Sequence, residues 1–182
     1  MAFDGVDDRV EVFDNTSLHT PRGAVTVSAW VWPATVSRAQ SVVSKPATDA
    51  GPRHSWQIFL TSGGAQAGRL GTTQDDYGLQ GTETLTPDTW HHVALTFDGA
   101  TVQLYRDGQR NVSTDASGEV LYAADSVLLG AEREDELMAQ LDGRIDEARV
   151  APWAASAERL ATEFRNQMNP SDFVSWGAFE PP

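Results

Sequence analysis

The 182-residue chain has no cysteine. That absence excludes a disulfide framework, a thiolate nucleophile and a thiolate metal site, and it leaves the redox compartment open. Cationic side chains are scarce as well: 13 Lys and Arg stand against 26 Asp and Glu, a formal net charge of −13. The summed field repels phosphate backbones and anionic headgroups, so nucleic acid and membrane surfaces are poor partners. No apolar run approaches the roughly 20 residues that a membrane-crossing helix needs. The opening MAFDGVDDRV has no basic stretch followed by an apolar one, so an export signal is expected to lie outside this sequence. Neither a βαβ rhythm nor a fixed-period repeat occurs, which argues against a parallel α/β sheet and against a solenoid.

What remains is an ordinary globular composition, 40% hydrophobic and 21% charged, expected to form one domain over residues 1–182. Period-two alternation recurs along it. Val10 and Val12 alternate with charged neighbours, and Val25, Val27, Ala29 and Val31 alternate with Thr26, Ser28, Trp30 and Trp32. HSWQIFL and WHHVALTF follow the same rule with Trp56, Ile58 and Leu60, then Val93, Leu95 and Phe97. Asp98-Gly99-Ala100 and Asp107-Gly108 are hairpin turns around TVQLYRD, which makes those neighbours antiparallel. Further short strands are expected at Ser126 to Leu129 and Ile145 to Val150.

One segment changes period. Leu160, Phe164 and Met168 fall at i, i+4 and i+8 behind Ser156, which predicts a short amphipathic helix over about 156–168 with a serine cap. FVSWGAF then predicts a closing strand at about 172–179, and Glu180-Pro181-Pro182 reads as the start of a linker. Many short strands, frequent turn residues and a single C-terminal helix define an all-β class: two antiparallel sheets packed as a β-sandwich or jelly roll.

Three segments in order, FDGVDDRVEV (Phe3 to Val12), AVTVSAWVWP (Ala24 to Pro33) and TWHHVALTFDGATVQLYRDGQ (Thr89 to Gln109), are joined by LDGRIDEARV (Leu141 to Val150). Together they resemble the laminin G-like branch of the concanavalin A-like lectin and glucanase jelly rolls over roughly residues 1–155. The tail ERLATEFRNQMNPSDFVSWG resembles the end of such domains in large exported bacterial proteins. The resemblance implies a concanavalin A-like sandwich, an extracellular or cell-surface setting, and one module of a longer chain. The family holds sugar binders, adhesion modules and, on the wider fold, glycoside hydrolases, so the site must select the function.

The hydrolase relatives carry a Glu-x-Asp-x-x-Glu triplet on one strand, and this sequence has none. The acidic group Glu132, Glu134, Asp135 and Glu136 surrounds Arg133 and lacks alternating apolar partners, so a charged surface loop explains it better. His91 and His92 are adjacent on a strand and cannot converge on one ion; one is expected toward the core and the other toward solvent. His19 and His54 stand alone in loop-like contexts, so no enzymatic activity is expected.

Binding chemistry has more candidates. By the resemblance, a structural calcium ion is expected where first and last strands meet, with Asp146 at the family's position and Asp4 as its partner. The alternative is that Asp4 shapes the Asp4-Gly5 turn and Asp146 pairs with Arg144 or Arg149. A sugar site needs an exposed aromatic face ringed by polar groups. Trp30 and Trp90 fall within the family's strand motifs and are expected in the core. Trp32, Tyr77 in the polar loop TQDDYGLQG, and Trp153 are the candidate ligand-binding aromatics. The expected function is a non-catalytic binding or adhesion module, with carbohydrate the first ligand class. A protein partner or a ligand-free spacer is the alternative, and a glycoside hydrolase is less favoured.

Overall fold

The computed structural model describes residues 1–19, 22–48, 54–132 and 139–172. Two six-stranded antiparallel sheets stack face to face. The first runs β1 (Ala2–Asp4), β12 (Asp142–Ala151), β3 (Val25–Pro33), β8 (His91–Phe97), β9 (Thr101–Arg106) and β10 (Gln109–Asp115). The second runs β2 (Val10–Val12), β11 (Val127–Leu129), β4 (Gln40–Pro46), β5 (His54–Leu60), β6 (Ala65–Gly71) and β7 (Asp76–Thr84). Helix α1 (Ala157–Met168) packs on the outside of the first sheet.

Side-chain parity builds the core. Val25, Val27, Ala29 and Val31 of β3 join Val93, Leu95 and Phe97 of β8 and Ile145 of β12 on one inner face. Trp56, Ile58 and Leu60 of β5 meet them from the other sheet. Burying such side chains stabilises the sandwich by about 1.5–3 kcal/mol each.

The helix is fixed at its N-terminal end. Ser156 accepts from the Arg159 amide at 3.3 Å as the cap, and Leu160 is buried against Ala94, Tyr105 and Ala155. Asp107 and Gly108, with φ of 50° and 76°, form the tight turn between β9 and β10. A Cβ on Gly108 would lie 2.9 Å from the Ala161 Cα, so the missing side chain lets α1 approach this turn.

Several elements differ from the sequence-based expectation. Tyr77 lies on strand β7 rather than in a loop, because β6 and β7 are held by their hydrogen-bonded ladder despite few β-branched residues. His54 opens β5 and is fully buried. His91 and His92 do point to opposite faces, yet both are buried, since α1 covers the face on which His92 sits. The expected closing strand at about 172–179, apart from Asp172 at the end of a 3-10 turn (Pro170–Asp172), and the residues Arg133, Glu134, Asp135 and Glu136 lie outside the described residues.

One charged group is buried inside the sandwich. Lys45 is fully buried beside Trp56 of β5, and its Nζ donates to Asp14 Oδ1 at 2.8 Å and to the carbonyls of Asp125 and Ala123 at 2.7 and 3.3 Å. Burial pushes the Asp14 carboxyl up, but hydrogen bonds from Lys45 and His19 outweigh it and hold the group below the ordinary carboxylate value. These bonds tie three chain segments together at one end of the core. Lys45→Ala would leave two carbonyls without their donor and Asp14 with His19 alone, and lower the unfolding free energy by about 3 kcal/mol, measurable by urea denaturation.

Candidate functional site

Because the valines of β3 take the inner face, Thr26, Ser28, Trp30 and Trp32 point outward, toward α1. Phe164 stacks on Trp30 with ring centroids 5.6 Å apart, and Trp30 Nε1 donates to Gln167 Oε1. Trp30 is therefore buried beneath the helix and not inside the sandwich.

Two hollows share the same three walls, β3, β12 and α1. The first, about 440 Å³, is lined by Trp30, Trp90, Asp146, Glu147, Gln167 and Met168. The second, also about 440 Å³, is lined by Thr26, Ser28, Arg149, Val150, Ala151, Trp153, Ala155, Arg159 and Glu163. Thr26 and Trp30 are four residues apart on β3, roughly 13 Å, so the two hollows, taken together below as a trough, lie end to end along the same flank of α1.

The β12 wall is irregular. Its register with β3 shifts between Asp146 and Arg149, and Glu147 adopts a left-handed φ of 50°. This bulge sets Asp146 and Glu147 on the first hollow and Arg149 on the second. The first end is acidic and receives the C-terminal end of α1, which carries the negative pole of the helix dipole. The second end is mixed: Arg159 lies 5.5 Å from the Trp153 ring centroid and its Nε donates to Glu163 Oε1 at 3.0 Å.

The structure brings some of the sequence candidates together and separates others. Trp153, 46% exposed, lines the second hollow, and Asp146 lines the first. Trp32 is half-buried on the same face, with the Arg144 guanidinium 4.8 Å from its ring centroid. Tyr77 belongs to the other sheet; it packs against the core and its hydroxyl accepts from the Ser117 amide at 3.0 Å. Asp146 pairs with neither Arg144 nor Arg149 among the described residues; its Oδ1 accepts from the Glu147 amide.

Asp4 and Asp146 do not converge. Asp4 stands opposite Asp142 in the ladder, which leaves Asp146 four positions further along, roughly 13 Å away. Asp4 instead gathers with Asp7 and Asp8, all exposed, with carboxylate oxygens within 4.8 Å of one another. Asp4 Oδ1 also accepts from the Val6 amide, so the turn role and the cluster coexist. Three carboxylates are a hard-oxygen donor set of the kind calcium takes.

Gln167 and Arg159 were not singled out from sequence; Trp90, expected in the core, is half-buried on the first hollow, and Arg149 was named only as an alternative partner of Asp146. A signal existed for Trp30: it has the opposite parity to the β3 valines, so only a covering element could bury it. The trough's other residues meet through the β12 bulge and the helix docking, which no local pattern encodes.

His91 and His92 are both buried within the fold. His91 Nδ1 lies 2.9 Å from Asp107 Oδ2, and its Nε2 accepts from the Thr86 amide at 3.1 Å, so both ring nitrogens are engaged. His92 sits edge-on to Trp30 at 5.5 Å, with its Nδ1 unpaired among the described residues.

This architecture is that of a concanavalin A-like jelly-roll sandwich. The sequence profile of the laminin G-like family, of the concanavalin A-like lectin/glucanases superfamily, matches residues 4–161, and the chain belongs to that family. No curated protein matches the sequence. Among solved structures, Domain 4 of AbnA, a GH43 extracellular arabinanase from Geobacillus stearothermophilus, in complex with arabinotriose, is 21% identical at a TM-score of 0.67; the match covers 88% of this chain and 74% of that one. The Ruminococcus gnavus IT-sialidase CBM40 bound to α2,3 sialyllactose is 18% identical, covering 87% of this chain and 97% of that one at a TM-score of 0.66. The binding domain of Paraclostridial Mosquitocidal Protein 1 is 15% identical at a TM-score of 0.71, covering 92% of this chain and 43% of that one. At these identities the likeness is one of fold.

Burial holds the His92 ring below the ordinary imidazole value, against Glu163 and Asp107, whose charges raise it, while Arg149 lowers it further. The folded value lies below the unfolded one, so the stabilisation is complete above about pH 6.5 and declines as pH falls toward the folded value. Protection factors of the α1 amides, with the intrinsic pH dependence of exchange divided out, are expected to fall over that acidic window in the native chain, and His92→Phe is expected to remove the dependence.

Proposed function

We propose that this chain is a non-catalytic carbohydrate-binding module of a larger exported protein, and that the trough between α1 and β12 is its sugar site. The observation that carries the reading is the pair of indole-bearing ends, the half-buried Trp90 at one and the exposed Trp153 at the other. Between them stand carboxylate, amide, hydroxyl and guanidinium groups, the complement of sugar hydroxyls, over a span longer than one pyranose ring. The arabinotriose and sialyllactose complexes of the two bacterial relatives support carbohydrate as the ligand class. The extracellular arabinanase among them supports export.

The binding reading is preferred to hydrolysis because Asp146 and Glu147 are chain neighbours on one wall, and Glu147 is already paired with Arg149. The facing α1 wall of that hollow offers Gln167 and Met168 in place of a second carboxylate. A protein ligand is the second reading, favoured by Val12 and Phe13, which are exposed at the edge strand β2. Calcium would be held by Asp4, Asp7 and Asp8, where it would fasten the first turn of the chain beside β12 and act structurally.

A glycan array followed by calorimetry on the retained glycan tests the site. Trp153→Ala and Trp90→Ala are each expected to weaken binding about tenfold, the effect of losing about 1.4 kcal/mol. Unchanged affinity in both variants would remove the trough as the sugar site. For the metal, calcium is expected to raise the melting temperature relative to chelator, with the shift lost in Asp7→Asn/Asp8→Asn. Equal melting in calcium and chelator would sink the calcium assignment and leave the sugar reading standing.

A further inference from the structure

The second sheet carries a separate groove on its outer face, away from the trough. Pairing of β5, β6 and β7 places Phe59, Ala67 and Gln80 in one cross-strand row and Gln57, Arg69 and Gly78 in the next. Trp56, Ile58 and Leu60 take the inner face, so these two rows face outward. The groove they form, about 430 Å³, is lined by Phe59, Ala67, Arg69, Asp76, Gly78 and Gln80, with backbone from Gly68 and Leu79 between them.

Its shape follows from two small residues. Ala67 and Gly78 make a low floor, and a Cβ built on Gly78 would meet no atom within 4 Å. On either side stand the Phe59 ring and the Gln80 amide, two strand spacings apart, roughly 10 Å. Asp76 marks one end.

Its positive charge comes from one arginine. Arg106, Arg149 and Arg159 are each paired with a glutamate, whereas Arg69, like Arg144 on Trp32, has no carboxylate partner among the described residues. Arg69 is half-buried with its guanidinium 5.5 Å from the Phe59 centroid, and among the described residues it forms no ion pair and donates no side-chain hydrogen bond. In a chain of net charge −13, where carboxylates outnumber cations two to one, this guanidinium has its hydrogen-bonding fork still free.

We propose that this groove is a second binding site, for a saccharide that bears a carboxylate. The carboxylate pairs with the Arg69 fork, a geometry that guanidinium favours. A sugar ring lies over the Ala67 and Gly78 floor against the Phe59 ring, and its hydroxyls reach the Gln80 amide and Asp76. An acidic peptide would also reach Arg69, but the shallow floor between an aromatic ring and an amide matches a flat ring with hydroxyls at its rim.

The test is an array of uronic-acid and other carboxylated glycans beside their neutral methyl esters, with calorimetry on the strongest pair. The acid form is expected to bind at least tenfold more tightly than its ester, and Arg69→Gln is expected to abolish the difference. Gly78→Val fills the groove at a position where the side chain meets open space, so it is expected to block acidic glycans while leaving the melting temperature unchanged. Trp153→Ala is expected to leave acidic-glycan binding intact, which separates this site from the trough. Retention of no acidic glycan, equal binding of acid and ester, or normal binding by a folded Gly78→Val variant would each overturn the proposal. Full displacement of the glycan by a poly-glutamate peptide of comparable affinity would overturn the saccharide assignment.

Discussion

Strand β3 is buried on both faces, and the rest of the molecule is arranged to keep it so. Its valines are covered by the second sheet, and its outward Trp30 is covered by Phe164 and Gln167 of α1. A sheet with one face on the core ordinarily leaves the other to water. Here an indole on the outer face requires a cover, and a helix laid across a sheet leaves a channel along its flank. The trough is thus a consequence of how the outer face of β3 is covered.

The second constraint is electrostatic. Although carboxylates outnumber cations two to one, only some basic side chains are ion-paired among the described residues: Lys45 with Asp14, Arg106 with Glu83, Arg149 with Glu147 and Arg159 with Glu163. These pairings matter differently. The buried Lys45 network orders the end of the core, whereas the exposed pairs contribute little stability and mainly fix where side chains lie along the trough wall. Arg69 on Phe59 and Arg144 on Trp32 are each stacked on a ring with no carboxylate partner among the described residues, which leaves their hydrogen-bonding forks open to a ligand.

The two outer faces therefore offer different chemistry. The first sheet presents large indoles with an acidic end and a mixed end, framed by a helix. The second presents a low floor of alanine and glycine beside one aromatic ring and one guanidinium. Both arise from the same alternation rule, since a strand whose inward residues are large and apolar is free to vary the outward ones.

Much of the fold was legible from period alone. The valines of β3 and β8, the Asp-Gly turns and the Leu160, Phe164 stripe each carry their conformation locally, in parity, turn geometry or helical spacing. Strands β6 and β7 were not legible, because AQAGRLG and DYGLQGTET owe their extension to ladder bonds with neighbours distant in sequence. The candidate sites were legible only in part. Trp153 and Asp146 stand on the trough, while Tyr77 is a core-edge residue and Asp4 meets Asp7 and Asp8 instead of Asp146. By itself the sequence determined the all-β class, the sandwich, the family resemblance and the helix, since these rest on short-range patterns. Only the tertiary structure decided which face α1 covers, where β12 bulges and which side chains share a groove with Arg69, because each depends on side chains brought together from segments far apart along the chain.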